Sequence, residues 1–329
     1  MSHIAEALID RIRSRGVGHS SEINPFWRDQ LRAFSDAISS ESVTYKAIRK
    51  RIGYNTAKLF PGVESNRDLQ HWPMMMRAIE TRDESGLGKD RDSAAQLAFL
   101  NRQGLLDEFI CWADEHRLVC DLNLGRYWWY RRKLMQRLEQ EGISIKGAYL
   151  EVGAGSGRMP LMFEELGVAQ HFIIVDLPEM LLNVSLLLAE ERPDAPVRLN
   201  QTPDLSDPPG FWLLETSEIQ KVTAGAVGLA VNINSFMEMD DNIRNFYIGE
   251  FYRILGPGAI FFNVNRRQEQ MNRRDGSIFD SNPLLYPYRD TDRILEWEVD
   301  NCQMSCKSSS FFSPPSWAIS RIAQVSNSI

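Results

Sequence analysis

The chain has 329 residues, with 37 basic and 44 acidic side chains and a formal net charge of −7. Its length is sufficient for one full α/β domain and a smaller second domain. Residues 1–145 carry a net charge of +2 and residues 146–329 a net charge of −9. The acidic second part argues against DNA or RNA as a partner.

The apolar runs and the cysteines restrict the class of protein further. No apolar run approaches the roughly 18 residues that cross a bilayer, and Met1-Ser-His-Ile lacks the basic start and the hydrophobic core of a signal peptide. The four cysteines form no Cys-x-x-Cys pair and have no histidine at metal-ligand spacing. We therefore expect a cytoplasmic protein with free thiols and no membrane partner.

The first 145 residues show helical spacing and lack the alternation of strands. Ile4, Leu8, Ile9 and Ile12 recur on one helix face. Further helices are predicted at 26–38, 43–52, 93–117 and 124–140. We expect residues 1–145 to form a helical cap that binds the substrate and takes part in a homodimer, and residues 146–329 to form a separate domain.

Two features of this predicted cap have alternative interpretations. The run Arg126-Tyr-Trp-Trp-Tyr-Arg-Arg132 could form a stacking surface for a sugar or a polyketide. Consecutive helical residues point in different directions, however, which favours core packing or a dimer contact. His71 is a candidate base or metal ligand, although lone histidines are more often surface residues or satisfied core residues.

Residues 149–157, Tyr-Leu-Glu-Val-Gly-Ala-Gly-Ser-Gly, predict a buried strand that runs into a glycine-rich turn and a helix. Gly153, Gly155 and Gly157 can take positive φ and carry no Cβ, so the backbone can turn sharply and approach a ligand closely. A dinucleotide fold needs its third glycine at position 158, where this chain has Arg158. The pattern therefore predicts a cradle for a nucleotide cofactor, and its spacing argues against a dinucleotide.

A second apolar strand is predicted at 171–176, ending in Asp176, whose carboxylate can accept hydrogen bonds from both hydroxyls of a ribose. Two segments, 197–199 and 211–214, compete for the third strand. We favour the latter because it leaves about a dozen residues for a helical crossover to the fourth strand.

The fourth strand is predicted at 226–233, where the sequence is continuously apolar. In open α/β sheets the carboxyl ends of the strands carry the site, so we expect Asn232, Asn234 and Glu238 to line a cleft. Alternatively, Glu238 caps the helix that begins near Asp240 or pairs with an arginine.

Asp240 and Asp241 could supply oxygen ligands to a divalent cation. Adjacent acids at the start of a helix are also what the helix dipole favours. We therefore assign no metal ligands, and assistance by a divalent cation stays open.

Three segments in this order resemble the S-adenosylmethionine (SAM)-dependent methyltransferases: Tyr149-Leu-Glu-Val-Gly-Ala-Gly-Ser-Gly157, His171-Phe-Ile-Ile-Val-Asp176 and Leu255-Gly-Pro-Gly-Ala-Ile-Phe-Phe262. More narrowly, the chain resembles a family of proposed sugar O-methyltransferases of polyketide and glycan biosynthesis. The segments that carry this second resemblance are Glu151-Val-Gly-Ala-Gly-Ser-Gly-Arg158, Ile174-Val-Asp-Leu-Pro178 and Asn232-Ile-Asn-Ser-Phe-Met-Glu-Met239. The similarity covers about 149–265.

The resemblance implies an α/β fold, a Rossmann-like seven-stranded sheet that is mostly parallel with an antiparallel last strand, preceded by an α-helical N-terminal cap. It implies SAM as the cofactor, with Glu151 near the amino group of the methionine moiety, Asp176 at the ribose, and the residues after the third strand at the adenine. The expected cofactor-binding residues are Glu151, Gly153, Ala154, Gly155, Gly157, Asp176, Leu177, Glu215, Thr216, Asn232 and Asn234.

For the chemistry, the resemblance implies O-methylation of a small-molecule acceptor, a sugar or a glycosylated natural product. Glu238 is the expected general base and His71 the alternative. Other functions stay open: methylation of a phenol, amine or carbon, a SAM-dependent reaction without methyl transfer such as cyclisation, or a non-catalytic binding module.

Overall fold

The computed structural model describes residues 3–15, 38, 58–59, 61–81, 91–271, 278–302 and 317–326. The chain divides into two compact units. The first unit comprises Met1–Tyr54, Arg137–Val299 and Ala318–Ile329, and the second comprises Asn55–Gln136 and Asp300–Trp317. The sequence-based division places a boundary at residue 145, whereas in the structure the N-terminal helix belongs to the unit that contains the large sheet.

The helices of the described residues are α1 (His3–Arg15), α2 (Trp72–Thr81), α3 (Arg91–Arg102), α4 (Leu106–Glu115), α5 (Leu122–Gln140), α6 (Arg158–Glu164), α7 (Pro178–Glu191) and α8 (Asp241–Ile254). The strands are β1 (Ala148–Val152), β2 (His171–Asp176), β3 (Val197–Leu199), β4 (Gly210–Glu215), β5 (Val227–Ile233), β6 (Leu255–Arg266), β7 (Gln268–Met271), β8 (Ile278–Ser281), β9 (Arg293–Val299) and β10 (Ala318–Gln324). None of the described helices is both long and apolar enough to cross a membrane.

The first unit contains an eight-stranded sheet in the order β3-β4-β2-β1-β5-β6-β10-β9, with β7 and β8 as a separate hairpin. The strands from β3 to β6 pair in parallel, whereas β10 runs antiparallel to β6 and β9. Strands β1, β2, β4 and β5 are buried along their whole length, as expected for mainly apolar parallel strands that are covered on both faces. The predicted α/β, Rossmann-like fold class is confirmed.

The sheet has one strand more than the predicted seven. Both segments that compete for the third strand are strands in the structure: β4 pairs with β2, and the short β3 adds an edge beyond β4. The segment favoured from the crossover length, 211–214, therefore holds the position next to β2.

Helix α1 packs against α7 in the first unit. Its apolar residues Ile4, Leu8, Ile9 and Ile12 are all buried, which confirms the predicted helix face. Helix α1 packs on α7, which belongs to the same unit as the large sheet, so α1 is part of that unit.

The second unit is helical in its described residues apart from short turns and an isolated β-bridge. The helix predicted at 93–117 is interrupted, because Gly104 takes φ +69 between α3 and α4, and the helix predicted at 124–140 is present as α5. Tyr127, Trp128 and Tyr130 are buried, which favours core packing for the aromatic run. The helices predicted at 26–38 and 43–52 lie outside the described residues except for residue 38.

Candidate functional site

The candidate site lies at the carboxyl edge of the large sheet, where the turn between β1 and α6 lies beside the ends of β2 and β5, and the end of β4 lies next to that of β2. Strand β1 pairs in parallel with both β2 and β5, so the order of strands in the sheet reverses here: β2 and β4 lie on one side of β1, and β5 and β6 on the other. This is the position at which open α/β sheets bind ligands. We call residues 151–157 together with Asp176 the glycine corner.

The three glycines of this corner all have positive φ: +78 for Gly153, +54 for Gly155 and +74 for Gly157. A Cβ on Gly153 would lie 2.3 Å from the side chain of Ser235, and one on Gly157 would lie 3.0 Å from Val184. A Cβ on Gly155 would meet no atom within 4 Å. The first and third glycines thus serve close packing, whereas Gly155 borders open space at the edge of the sheet.

Asp176 connects the end of β2 to the glycine turn. Its Oδ2 accepts a hydrogen bond from the backbone N–H of Gly155 at 3.0 Å, and its Oδ1 accepts one from Leu177 N–H at 2.8 Å. Burial raises the pKa of Asp176 to about 6, and the backbone N–H groups of Gly155, Leu177 and Ala154 oppose that shift. A carboxylate has about four acceptor sites, so Asp176 can hold the turn and still accept hydrogen bonds from a ligand.

Glu151 lies near the end of β1 and is buried, and its side chain accepts a hydrogen bond from a residue of the same strand. The Tyr149 hydroxyl donates to Oε2 at 2.8 Å. Burial raises the pKa of Glu151 to about 8; the Tyr149 hydrogen bond lowers it, and the charge of Asp176 raises it. Because a nearby cation favours the ionised form of an acid, Glu151 is suited to a positively charged ligand group.

The end of β4 carries a second acid, Glu215, whose carboxylate is engaged from two sides. Asn200 Nδ2 donates to Oε1 at 2.8 Å, and the Nε of Arg11 on α1 lies 2.6 Å from the same oxygen. The backbone N–H of Glu215 donates to Asn200 Oδ1 at 2.9 Å. We call Arg11, Asn200 and Glu215 the Glu215 corner. Thr216 follows it and accepts a hydrogen bond from Tyr247 through its carbonyl.

Asn232 lies beneath the edge of the sheet rather than on it. The residue is fully buried, and its Nδ2 donates to Val152 O at 2.9 Å and to Ser235 Oγ at 2.5 Å. Its Oδ1 accepts from Asn265 Nδ2 at 2.8 Å and from Phe236 N–H at 3.2 Å. The amide is thus used to join β5 to β1 and β6, so the expectation that it lines a cleft does not hold in this structure.

Asn234 is the residue that follows β5, and it takes the left-handed conformation with φ +60. Its backbone N–H donates to Val264 O at 2.8 Å, and its side chain is half-buried. A non-glycine residue with positive φ is uncommon and marks a sharp turn, which here follows directly on the strand end.

Glu238 lies in a short 3₁₀ turn, Phe236–Glu238, and is half-buried. It is not the cap of the following helix, because Asp240 occupies the N-cap position of α8 and accepts from Ile243 N–H at 3.0 Å. Asp241 is engaged by the guanidinium of Arg244. No group of three or more potential metal-binding side chains occurs among the described residues.

His71 belongs to the second unit, directly before α2, where its carbonyl accepts a hydrogen bond from Met75 N–H at 3.1 Å. Its side chain is half-buried. The proposed role of His71 as a base stays a prediction from the sequence.

The sequence did not reveal several residues that build the site. Arg11 and Asn200 reach Glu215 from distant segments, and Tyr149 supports Glu151. Only Tyr149 had a local signal, because residues two apart on a strand lie on the same face. Arg158, which replaces the third glycine of a dinucleotide fold, is buried and pairs with Glu191 of α7 at 2.9 Å.

No protein-family model matches the chain, and no curated protein sequence matches it well enough to count as a relative. Among solved structures, the N-methyltransferase NodS from Bradyrhizobium japonicum in complex with S-adenosyl-L-homocysteine (SAH) is 14% identical, with a TM-score of 0.40 over 60% of this chain and 87% of NodS. The (4+2)-cyclase SpnF is 16% identical, with a TM-score of 0.40 over 59% of this chain and 80% of SpnF.

Phosphoethanolamine N-methyltransferase 2 from Haemonchus contortus, in complex with SAM, is 14% identical, with a TM-score of 0.31 over 44% of this chain. The matched part of this chain spans only 30% of that protein. At these identities the similarities concern the fold and assign no activity.

Proposed function

We propose that this chain is a SAM-dependent methyltransferase that acts on a small molecule. The observation that carries the proposal is the hydrogen bond from Gly155 N–H to the buried carboxylate of Asp176. It brings together a turn with three positive-φ glycines and the acid that ends the next strand. The resemblance of segments 151–158 and 174–178 to SAM-dependent methyltransferases supports the same conclusion.

The residues of the glycine corner fit the proposed cofactor. No atom lies within 4 Å of a Cβ position on Gly155, so a ligand can approach the backbone of the turn closely there. Asp176 has unused acceptor capacity for two ribose hydroxyls, and Glu151 offers a buried carboxylate for an ammonium group. When bound, SAM supplies an electrophilic methyl group on a sulfonium; the chain has to orient the acceptor and exclude water.

The finer proposal is O-methylation of a hydroxyl on a sugar or a glycosylated natural product. It rests on the family resemblance of segment 232–239 and on Glu238, which lies just beyond the end of β5. A sugar hydroxyl is a weak nucleophile until its proton is removed, and Glu238 is the proposed base. We further propose that residues 1–145 contribute to acceptor binding and to a homodimer.

Calorimetric titration with SAM and SAH tests the cofactor. We expect both ligands to bind, with one site per chain. Methyl transfer from labelled SAM to panels of sugars, phenols and amines then tests the acceptor class. Product from a phenol or an amine alone would contradict the sugar proposal, and cofactor binding without transfer to any panel would favour a reaction other than methylation.

Glu238→Gln tests the proposed base, because the substitution is nearly isosteric and removes the proton acceptor. We expect turnover to fall by about 10²–10⁴-fold with unchanged affinity for SAM. Asp240→Ala is the matched control: it removes the N-cap acceptor of α8 and should lower the melting temperature while turnover stays close to wild type. If Glu238→Gln keeps its turnover, the base is His71 or the reaction uses no protein base.

A further inference from the structure

Helix α1 reaches the candidate site through the side chain of Arg11. Its apolar face packs on α7, and Arg11, on the same helix, forms the ion pair with Glu215 at 2.6 Å. The carboxylate of Glu215 is only 3% exposed, whereas the Arg11 side chain is 46% exposed. A buried anion at the end of β4 is therefore balanced by a cation from the N-terminal helix.

Glu215 lies beside the proposed ribose acid. Asp176 and Glu215 are paired positions of the parallel strands β2 and β4, so their side chains leave the sheet on the same face at neighbouring strand ends. Both acids are buried. Asp176 is satisfied by backbone N–H groups of the glycine turn, and Glu215 by Asn200 and Arg11.

Two adjacent buried carboxylates are stable only if each is compensated. Without Arg11, Glu215 would keep the hydrogen bond from the Asn200 amide but would lose its ion pair with α1. The carboxylate would then turn towards water, and the end of β4 with Thr216 would move with it. These are the residues expected beside the adenine.

We propose that Arg11 is a positioning residue for cofactor binding: its ion pair holds Glu215 in place, so that α1 fixes the position of the residues that bind the nucleoside part of the cofactor. The inference rests on the proposed function, which takes SAM as the ligand. It also implies reciprocity: if docking of α1 strengthens cofactor binding, the bound cofactor must stabilise the docking of α1 to the same extent.

The first experiment measures the affinity of the full-length protein for SAH and for adenosine by calorimetry. We expect Arg11→Ala to lower the affinity for both ligands by about tenfold, because the lost ion pair supports the part of the site that binds the nucleoside, which both ligands contain. Arg11→Lys keeps the charge and should stay within about threefold of wild type. The matched control is Arg13→Ala: Arg13 lies on the same helix but donates to the Ile38 carbonyl, so both affinities should be unchanged.

The second experiment measures amide hydrogen exchange in residues 3–15 with and without SAH. We expect SAH to slow exchange in the wild type and in Arg13→Ala, but not in Arg11→Ala. A purely structural ion pair would change exchange equally in the free and the bound protein. If Arg11→Ala does not fold, the affinities of Arg11→Lys and Glu215→Gln for SAH are compared. The proposal requires that Glu215→Gln loses more affinity than Arg11→Lys.

The outcomes separate the two proposals. If the wild type binds neither SAM nor SAH, the proposed function fails. If the wild type binds SAH and Arg11→Ala binds it equally well with the same exchange pattern, only the role of Arg11 is overturned. Equal losses in Arg11→Ala and Arg13→Ala would likewise overturn it, because they would show a general loosening of α1.

Discussion

The glycine corner and the Glu215 corner lie on neighbouring strands of the same sheet but are built in different ways. The glycine corner comes from one continuous stretch, in which β1, the turn, α6 and β2 follow one another and Asp176 bonds to Gly155. The Glu215 corner combines α1, the segment after β3 and the end of β4. Its hydrogen-bonding groups come from segments that are far apart in the chain.

The difference shows which kind of site residue a sequence pattern reveals. Backbone conformation and strand order are local properties, so three glycines and an acid suffice to indicate the glycine corner. The carboxylate of Glu215 is also at a strand end, and the same logic assigns it to the ligand. In the structure, however, its carboxylate is occupied by Arg11 and Asn200, a fact that depends on tertiary packing.

The largest expected effect is at Gly155. Gly155→Val should abolish SAM binding, because a β-branched residue resists φ +54 and would project into the open space beside the turn. Gly167→Val is a matched control, since Gly167 also has positive φ and open surroundings but lies after α6. Both variants should lose similar stability, and calorimetry should show lost binding only for Gly155→Val. Normal SAM binding by Gly155→Val would refute the assignment of this turn.

At Asp176, Asp176→Ala should weaken SAM binding by about 1.5–3 kcal/mol, the range for hydrogen bonds to a charged group. Because Asp176 also holds the Gly155 N–H, the melting temperature should fall moderately as well. Asp176→Asn keeps one acceptor oxygen, so it should lose less SAM affinity and less thermal stability than Asp176→Ala. Unchanged SAM affinity in a folded Asp176→Ala protein would mean that the ribose lies elsewhere.

Glu151 should make SAM affinity depend on pH. Its pKa in the free protein is raised to about 8 by burial, and a bound ammonium group would lower that pKa. Binding then releases a proton, so affinity should rise between pH 6 and 8 by up to about tenfold per unit. Calorimetry over this range checks the slope, and Glu151→Gln should bind more weakly with no such slope. Equal slopes in both proteins would exclude Glu151 as the partner of the ammonium group.

The raised pKa of Glu151 has the opposite effect on the stability of the free protein, whose free energy of unfolding should fall as the pH rises. A carboxyl whose pKa is raised on folding contributes stability that is fully present below its unfolded value, about 4.5, and is lost as the pH rises through about 8. The melting temperature of free Glu151→Gln should therefore fall less than that of the wild type across this window. Thermal unfolding in matched buffers at pH 5 and pH 8 measures the difference.

The smallest expected effect is at Asn200. Asn200→Ala removes two hydrogen bonds to Glu215 and should lower the free energy of unfolding by about 1–3 kcal/mol. Part of that loss would come from the backbone, because Asn200 has φ +54. Asn200→Gly removes the amide without that strain, so denaturant unfolding of both variants separates the two contributions. If Asn200→Gly is as stable as wild type, the amide does not support the Glu215 corner.

Much of the fold could be predicted from the sequence because its signals are local. The mainly apolar segments that form β1, β2, β4 and β5 are typical of parallel strands covered on both faces, and the order of turns and acids indicated the Rossmann-like class. The short β3 was harder to assign. Three half-buried residues form it only because β4 offers a free edge.

The sequence by itself determined the glycine turn, the acid that follows β2 and the apolar face of α1, since each depends on residue type and spacing within one element. Tertiary structure alone decided which partner each of these features meets. It placed α1 on α7, buried Asn232 in a hydrogen-bond network beneath the sheet edge, and paired Glu215 with Arg11. Hydrogen bonds and ion pairs between distant segments have no periodicity along the chain, so only the folded structure reveals them.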